Sequence, residues 1–147
     1  MILLTNKRAT YDYEISKKLQ AGVVLSGAEV KSLRGKSGSL AGSFVKVIDG
    51  QAVLINAQIS PYSYADNKNY DPKQTRVLLL RKKEIYALEE SISAKGLTAV
   101  PLSFETVKNK IKLNIGLGRG KKQFEKRAVI KDREARREIS KMMKQRY

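Results

Sequence analysis

Apolar and polar residues alternate along most of the first 118 positions. The clearest case is residues 111–117, where Ile or Leu recurs at every second position. A period of two is typical of a strand with one buried face. Two turn sequences, Asp49-Gly50 and Lys108-Asn109-Lys110, predict hairpins between neighbouring strands. Further strands are predicted over 23–25, 44–48, 52–59, 77–80 and 98–107.

Two helices are predicted between these strands. Residues 83–95 place apolar side chains on one helical face, and Gly96 follows as a common helix stop. Residues 29–34 predict a short helix that ends at Gly35. A polar loop with three tyrosines lies between Pro61 and Pro72.

This order of elements predicts a mainly β fold. We expect an OB-like closed antiparallel barrel of about six strands, with two or three flanking helices and a basic C-terminal tail. An SH3-like barrel or an α+β sandwich would give the same pattern, because periodicity does not fix the order of strands. The predicted division is a barrel over 1–118 and a tail over 119–147, with a flexible hinge at the glycine-rich stretch 116–120. The tail is expected to be disordered when free and helical on RNA or the ribosome.

Charge narrows the range of partners. The 147 residues carry a net charge of +16, and residues 119–147 contribute +8 of it, from 12 basic and 4 acidic side chains. Such an excess destabilises a compact protein through self-repulsion, so a polyanionic partner is expected. The sequence has no Cys and no His, which removes the commonest metal ligands and the commonest general base. We therefore expect no enzyme activity, no catalytic residue, no cofactor and no metal.

The start of the chain shows no signal peptide, because its apolar run, residues 2–4, is far too short. No stretch has the length of a membrane span. A cytoplasmic protein without a membrane role is the expectation.

Candidate RNA contacts combine cations with aromatic rings. Bases of unpaired RNA stack on rings such as Tyr62, while Lys and Arg neutralise phosphates. The glycine-rich stretch resembles a phosphate loop only superficially, since Ile115 and Lys122 stand where a Walker A motif needs Gly and Ser or Thr. The basic candidates are Lys7, Arg8, Lys31, Arg34 and Arg76 in the barrel and Arg119, Lys121 and Lys122 after it.

Glu29 has two interpretations. It is an acid at the start of a helix, which the helix dipole favours, or a carboxylate that accepts hydrogen bonds from a guanine edge or a 2′-hydroxyl. It would also be placed to hold Lys31 or Arg34.

Several short blocks of the sequence occur together in a particular order. They are residues 6–9, 12–15, 27–34, 59–62, 69–72, 76–80 and 119–122, and the Glu-Val-Lys-Ser-Leu-Arg block within 27–34 is the most specific. Their order and spacing over nearly the whole chain resemble the small protein B (SmpB) family, the bacterial tmRNA-binding proteins.

The resemblance implies an RNA-binding protein of trans-translation. Such proteins bind the tRNA-like domain of tmRNA at its elbow and deliver it to stalled ribosomes, where the incomplete product is tagged. Glu29 and Lys112 would serve tmRNA binding. Elongation factor Tu and alanyl-tRNA synthetase would be partners through tmRNA, and the protein would be a monomer.

The resemblance also assigns the tail to the ribosome. Its residues would work in the small-subunit decoding centre and the vacant mRNA channel. The family often has His where this chain has Tyr11, His or Tyr at Phe124, and Asp at Glu125, so the hydrogen bonds there differ. The tail candidates are Phe124, Glu125, Lys126, Arg127, Lys131 and Arg133.

Three alternatives remain on sequence grounds. A general OB-fold RNA-binding or ribosome-associated protein shares the charge and the fold. An RNA-modifying or RNA-cleaving enzyme would have to use Lys with Asp or Glu. A membrane-surface role for the tail would rest on a small apolar face.

Overall fold

The computed structural model describes residues 1–65 and 68–121. Within these ranges, nine strands and three helices follow one another along the chain. They are β1 (Ile2–Thr5), α1 (Ala9–Asp12), β2 (Tyr13–Val23), α2 (Gly27–Arg34), β3 (Gly38–Ser39), β4 (Phe44–Ile48), β5 (Gln51–Ile55), β6 (Gln58–Ile59), β7 (Arg76–Leu79), α3 (Lys82–Ser93), β8 (Thr98–Val107) and β9 (Lys110–Gly120).

Six strands form a ring-like antiparallel sheet. Their order is β8, β4, β5, β7, β2 and β9, and β9 pairs with β8 again. β4 pairs with β8 at Val45 and Ala99, and β1 pairs with a later part of β8, residues 103–105. β3 and β6 form a separate two-stranded sheet. The prediction of a mainly β protein with about six main strands and two or three helices is confirmed, with three helices present in the described residues.

Both predicted hairpin turns are present. Asp49 and Gly50 have φ angles of 50° and 74°, and Lys108 and Asn109 have φ angles of 49° and 65°. Two successive residues with positive φ are the hallmark of tight hairpin turns whose twist matches the strands. They join β4 to β5 and β8 to β9.

The second strand is much longer than the sequence indicates. The predicted strand 23–25 shares only Val23 with the eleven-residue β2, which pairs with β9 from Tyr13 to Gly22. A register shift between Ile15 and Lys17 interrupts the alternation of buried and exposed positions. The period of two is therefore hidden in this part of the sequence.

The expected flexible hinge at 116–120 is wrong. These residues belong to β9, which pairs with β2 as far as Gly120, and the N–H of Lys121 donates to the Asp12 carbonyl at 2.8 Å. The glycines allow close packing: a Cβ at Gly118 would lie 2.4 Å from the Glu14 carbonyl oxygen. The boundary predicted between 118 and 119 thus falls inside a strand.

The core fills the ring and the space under the helices. Phe104, Leu113 and Ile115 from β8 and β9 are fully buried with Leu54 of β5. Leu33 of α2 and Leu88 of α3 join the same cluster from outside the sheet. α2 packs against β1 and β6, while α3 packs against β4 and β8.

Candidate nucleic-acid interface

Helix α2 begins with a capping box that turns Glu29 into the protein. The N–H of Ser26 donates to Glu29 Oε1 at 3.0 Å, and the N–H of Glu29 donates to Ser26 Oγ at 3.2 Å. The exchange satisfies amide groups that a helix start otherwise leaves unpaired. Only 3% of Glu29 is exposed, and its second oxygen, Oε2, faces the interior.

Arg76 is buried against this carboxylate. It lies on the same face of β7 as Leu78, and 2% of it is exposed. Arg76 Nε donates to Glu29 Oε2 at 2.7 Å. The other four N–H groups donate to the carbonyls of Ala57 (2.7 Å), Pro72 (2.9 Å) and Gln74 (3.0 Å) and to the hydroxyl of Tyr70 (3.2 Å).

The buried positions of Arg76 and Glu29 correct two expectations from the sequence. A guanidinium has five N–H donors, and all five of Arg76 are used inside the protein, so Arg76 does not belong to an exposed phosphate-binding face. Glu29 is neither open to solvent nor the partner of Lys31 or Arg34. In the structure Glu29 acts as the acid at the start of α2, and it also forms a buried ion pair with Arg76.

The electrostatics of Glu29 reflect this pairing. Burial by itself raises the pKa of the carboxyl, but the Ser26 N–H and the hydrogen bond and charge of Arg76 outweigh it, so the pKa is lowered. Burial and the charge of Glu29 raise the pKa of Tyr70. Glu29 is therefore ionised at neutral pH and Tyr70 is protonated.

Helix α2 and the loop after Ser60 carry a set of surface side chains that we call the α2 platform: Lys31, Arg34, Tyr62 and Tyr64. Ser60, just before the tyrosines, is attached to the helix: its carbonyl accepts from Ser32 Oγ at 2.7 Å. Lys31 Nζ lies 5.4 Å from the centre of the Tyr62 ring, and the Tyr62 and Tyr64 rings meet edge to face at 5.5 Å.

Lys112 lies in a different place, on the outer surface of β9. Its neighbours across the sheet are Gly22 and Glu105. Because Gly22 has no side chain, Leu79 of β7 covers that position, and 59% of Leu79 stays exposed. The resulting Lys112 groove has a volume of about 450 Å³, and its lining also includes Gln20, Gln51, Arg81 and Glu84.

A second outer groove, the Lys7 groove, has a volume of about 760 Å³. Lys7, Lys18 and Lys121 line it together with Tyr13 and Asn114. Lys121 Nζ donates to the carbonyl of Thr10 and so reaches across to α1. Three cations beside an aromatic ring suit a polyanion that carries bases.

The two grooves are neighbours. Gln20 lines the Lys112 groove, and its Nε2 donates to Asn114 Oδ1 at 2.9 Å; Asn114 Nδ2 in turn donates to Ser103 Oγ at 2.9 Å. Asn114 and Ser103 line the Lys7 groove. A row of uncharged polar groups therefore joins the grooves into one surface across β2, β9 and β8.

The remaining described candidates lie near α1 and at the end of β9. The Arg8 guanidinium lies 4.9 Å from the centre of the Tyr11 ring, and its Nε is 3.4 Å from Asp12. Exposed pairs of this kind contribute little to stability. Arg119 faces Glu14 across the sheet and lines a further groove with Lys95.

The predicted cations thus fall into several groups rather than on one face. Lys112 lies in one groove, Lys7 and Lys121 in the next, and Lys31 with Arg34 on the α2 platform. Sequence reasoning missed Gln20, Lys18 and Leu79, because their proximity depends on how β2, β7 and β9 pair. Lys122, Phe124, Glu125, Lys126, Arg127, Lys131 and Arg133 lie outside the described residues.

Metal-ligand clusters and membrane-spanning helices are both missing from residues 1–65 and 68–121. No group of three or more acidic side chains in these ranges is arranged to hold a metal ion. None of the helices in the same ranges combines the length and apolar character needed to cross a membrane.

These features define a class: a small ring-like β protein with cations in its outer grooves. The family described as SmpB protein matches residues 3–145. The SsrA-binding protein of Sulfurihydrogenibium sp. (strain YO3AOP1) is 46% identical over 97% of this chain and 94% of its own length. The SsrA-binding protein of Chlamydia trachomatis serovar A is 43% identical over 99% of this chain and 96% of its own length.

A solved structure gives the same result. Its chain, described as tmRNA-SmpB in the bacterial ribosome, has a TM-score of 0.69 and 42% sequence identity, covering 84% of this chain and 87% of that chain. The chain therefore belongs to the SmpB family, and the resemblance seen in its sequence blocks is confirmed.

Proposed function

We propose that this chain binds the tRNA-like domain of tmRNA and delivers it to stalled ribosomes for trans-translation, which rescues the ribosome and tags the incomplete protein. The observation that carries the proposal is kinship along nearly the whole chain with proteins named SsrA-binding proteins. It acts as an RNA-binding protein and not as an enzyme, in the bacterial cytoplasm, as a monomer. Elongation factor Tu and alanyl-tRNA synthetase meet it through tmRNA.

The joined grooves support this function. An RNA elbow offers loop bases, phosphates and 2′-hydroxyls rather than a readable major groove. Lys7, Lys18, Lys112 and Lys121 supply cations for phosphates, and the amides of Gln20 and Asn114 can exchange hydrogen bonds with sugar hydroxyls and base edges. The exposed Leu79 offers an apolar contact to a sugar or base.

We further propose a division of labour along the chain. An OB-like closed barrel, which extends to the end of β9 rather than to residue 118, holds tmRNA, and the residues that follow form a basic tail that is disordered when free and helical on the ribosome. The tail acts in the decoding centre and the vacant mRNA channel through Phe124, Glu125, Lys126, Arg127, Lys131 and Arg133. An mRNA in that channel would exclude the tail sterically, which makes vacancy the signal.

Binding to purified RNA tests the groove. Lys112→Ala removes a cation that can make a charge-assisted hydrogen bond, so affinity for the tRNA-like domain should fall by about ten-fold. Lys83→Ala is the matched control, since Lys83 is exposed on α3 and lines neither groove. If the protein without substitutions bound the tRNA-like domain and ordinary tRNA with equal affinity, the chain would instead be interpreted as a general OB-fold RNA-binding protein.

Truncation tests the division of labour. Removing residues 122–147 should leave binding to the tRNA-like domain within a few-fold of the full chain, apart from a weaker salt dependence. Peptide tagging on stalled ribosomes should be lost. Tagging that survives the truncation contradicts the assigned role of the tail.

A further inference from the structure

The α2 platform contains an aromatic side chain that is not part of the core. Tyr64 is 87% exposed, although Tyr62 beside it is half-buried and anchored over the helix. A large ring left in water gains nothing from the core, and exposed aromatic groups beside polar ones are typical of binding surfaces.

The exposed charges on the helical side of the platform have one sign. Residues 27–36 contain three cations, Lys31, Arg34 and Lys36, all exposed, and Glu29 is their only acid. Since Glu29 is buried and neutralised by Arg76, no carboxylate of that segment reaches the surface. The ion pair thereby removes negative charge from the platform and also fixes the segment that carries its rings.

We propose that the α2 platform is a second RNA site, which stacks one unpaired base on Tyr64 and holds the adjoining phosphates with Lys31 and Arg34. The proposal rests on the proposed function only in taking RNA as the ligand. It adds a place of contact, because no platform residue lines the Lys112 groove or the Lys7 groove. A base with its phosphate matches a ring beside cations, whereas an acidic peptide would use the cations alone.

The absence of tryptophan makes a site-specific test possible. In full-length protein carrying Tyr64→Trp, the new indole is the sole tryptophan, and a stacked base quenches its fluorescence. Titration with a single-stranded oligoadenylate of about ten nucleotides should quench it to saturation. An abasic strand of equal length and charge should not.

Tyr86→Trp is the matched control. Tyr86 is 72% exposed and follows Lys82 and Lys83 on α3, so it reproduces a ring near cations without the platform. The emission of this variant should stay constant when oligoadenylate is added. Tyr64→Leu, which removes only an exposed ring and its edge contact with Tyr62, should weaken oligoadenylate binding by roughly ten-fold.

Quenching of the Tyr64→Trp variant by the base-containing strand alone supports the platform. The proposal is overturned if the Tyr64→Trp variant is not quenched, or if the Tyr86→Trp variant is quenched equally. Equal quenching by the abasic strand also overturns it. Equal quenching by polyglutamate overturns it too and points to an acidic protein partner. Binding of the tRNA-like domain to the same variants is measured separately. Retained binding without quenching at position 64 refutes only the platform, and quenching without preference for the tRNA-like domain refutes only the proposed function.

Discussion

Replacing Arg76 with methionine removes one half of the buried ion pair and keeps a side chain that fills part of the space. Glu29 would remain in the interior without its closest partner. The carbonyl of Ala57 would lose the donor Arg76, and that of Pro72 would keep only the N–H of Ile59. Removing one partner of a buried pair typically costs about 3–5 kcal/mol, because the other charge is left uncompensated. We expect the free energy of unfolding to fall by about that amount.

The same logic applies to the other partner. Glu29→Gln leaves the Arg76 charge buried among neutral acceptors, so it should also destabilise strongly. The double variant Glu29→Gln/Arg76→Met contains neither charge. It should be more stable than the sum of the single effects implies, by about 0.5–3 kcal/mol, the range found for groups in direct contact.

Urea denaturation at neutral pH, followed by circular dichroism, measures all three variants. Arg34→Met is the control, because this exposed arginine lies on the same helix, and its effect should stay within about 0.5 kcal/mol. Single effects below about 1 kcal/mol, or effects that simply add, would refute the reasoning. Glu29→Ala, which also removes the capping box, should melt early rather than only weaken RNA binding.

Three other predictions concern stability. The pKa of Glu29 is lower in the folded protein than its usual value of 4.5. The carboxylate therefore stabilises the fold above about pH 4.5, and this contribution is lost as pH falls through the folded pKa. The free energy of unfolding should thus fall less steeply with acid in Glu29→Gln than in the unsubstituted protein, and an equal slope would contradict the assignment. Gly118→Ala should disrupt the pairing of β2 and β9, since its Cβ meets the Glu14 carbonyl, at a cost of about 1–3 kcal/mol or more, whereas a Cβ at Gly120 meets nothing within 4 Å; equal denaturation midpoints for the two alanine variants would be the contrary result. Phe104→Ala should cost about 3–5 kcal/mol in the same assay, because its ring is fully buried.

Local signals in the sequence predicted much of the fold. Asp49-Gly50 and the Lys108–Asn109 turn need only neighbouring residues, and α3 is determined by its apolar face and Gly96. β2 was recognised only at its end because the shift after Ile15 breaks the alternation. The glycines of β9 were interpreted as a hinge, since close approach to β2 is not visible in one segment alone.

The candidate site was predictable in its residue types and less so in its geometry. The alternation in β7 places Arg76 on the same face as the buried Leu78, which is the signal that could have indicated an interior arginine. Its partner Glu29 is 47 residues away, so the pair depends on how α2 meets β7. The proximity of Lys112 to Gln20 and Leu79 likewise depends on strand order.

The pairing of β9 up to its last residue has a consequence for everything that follows it. Because Gly120 is paired with Tyr13 and the N–H of Lys121 donates to the Asp12 carbonyl, the residues after Lys121 are attached to the ring-like sheet at a fixed point. A chain reaches at most about 3.6 Å per residue, so Arg133, twelve positions on, can lie no farther than about 43 Å from that point. Once the ring-like sheet is bound to an RNA, the greatest distance that the backbone of each later residue can reach from Lys121 is therefore already set.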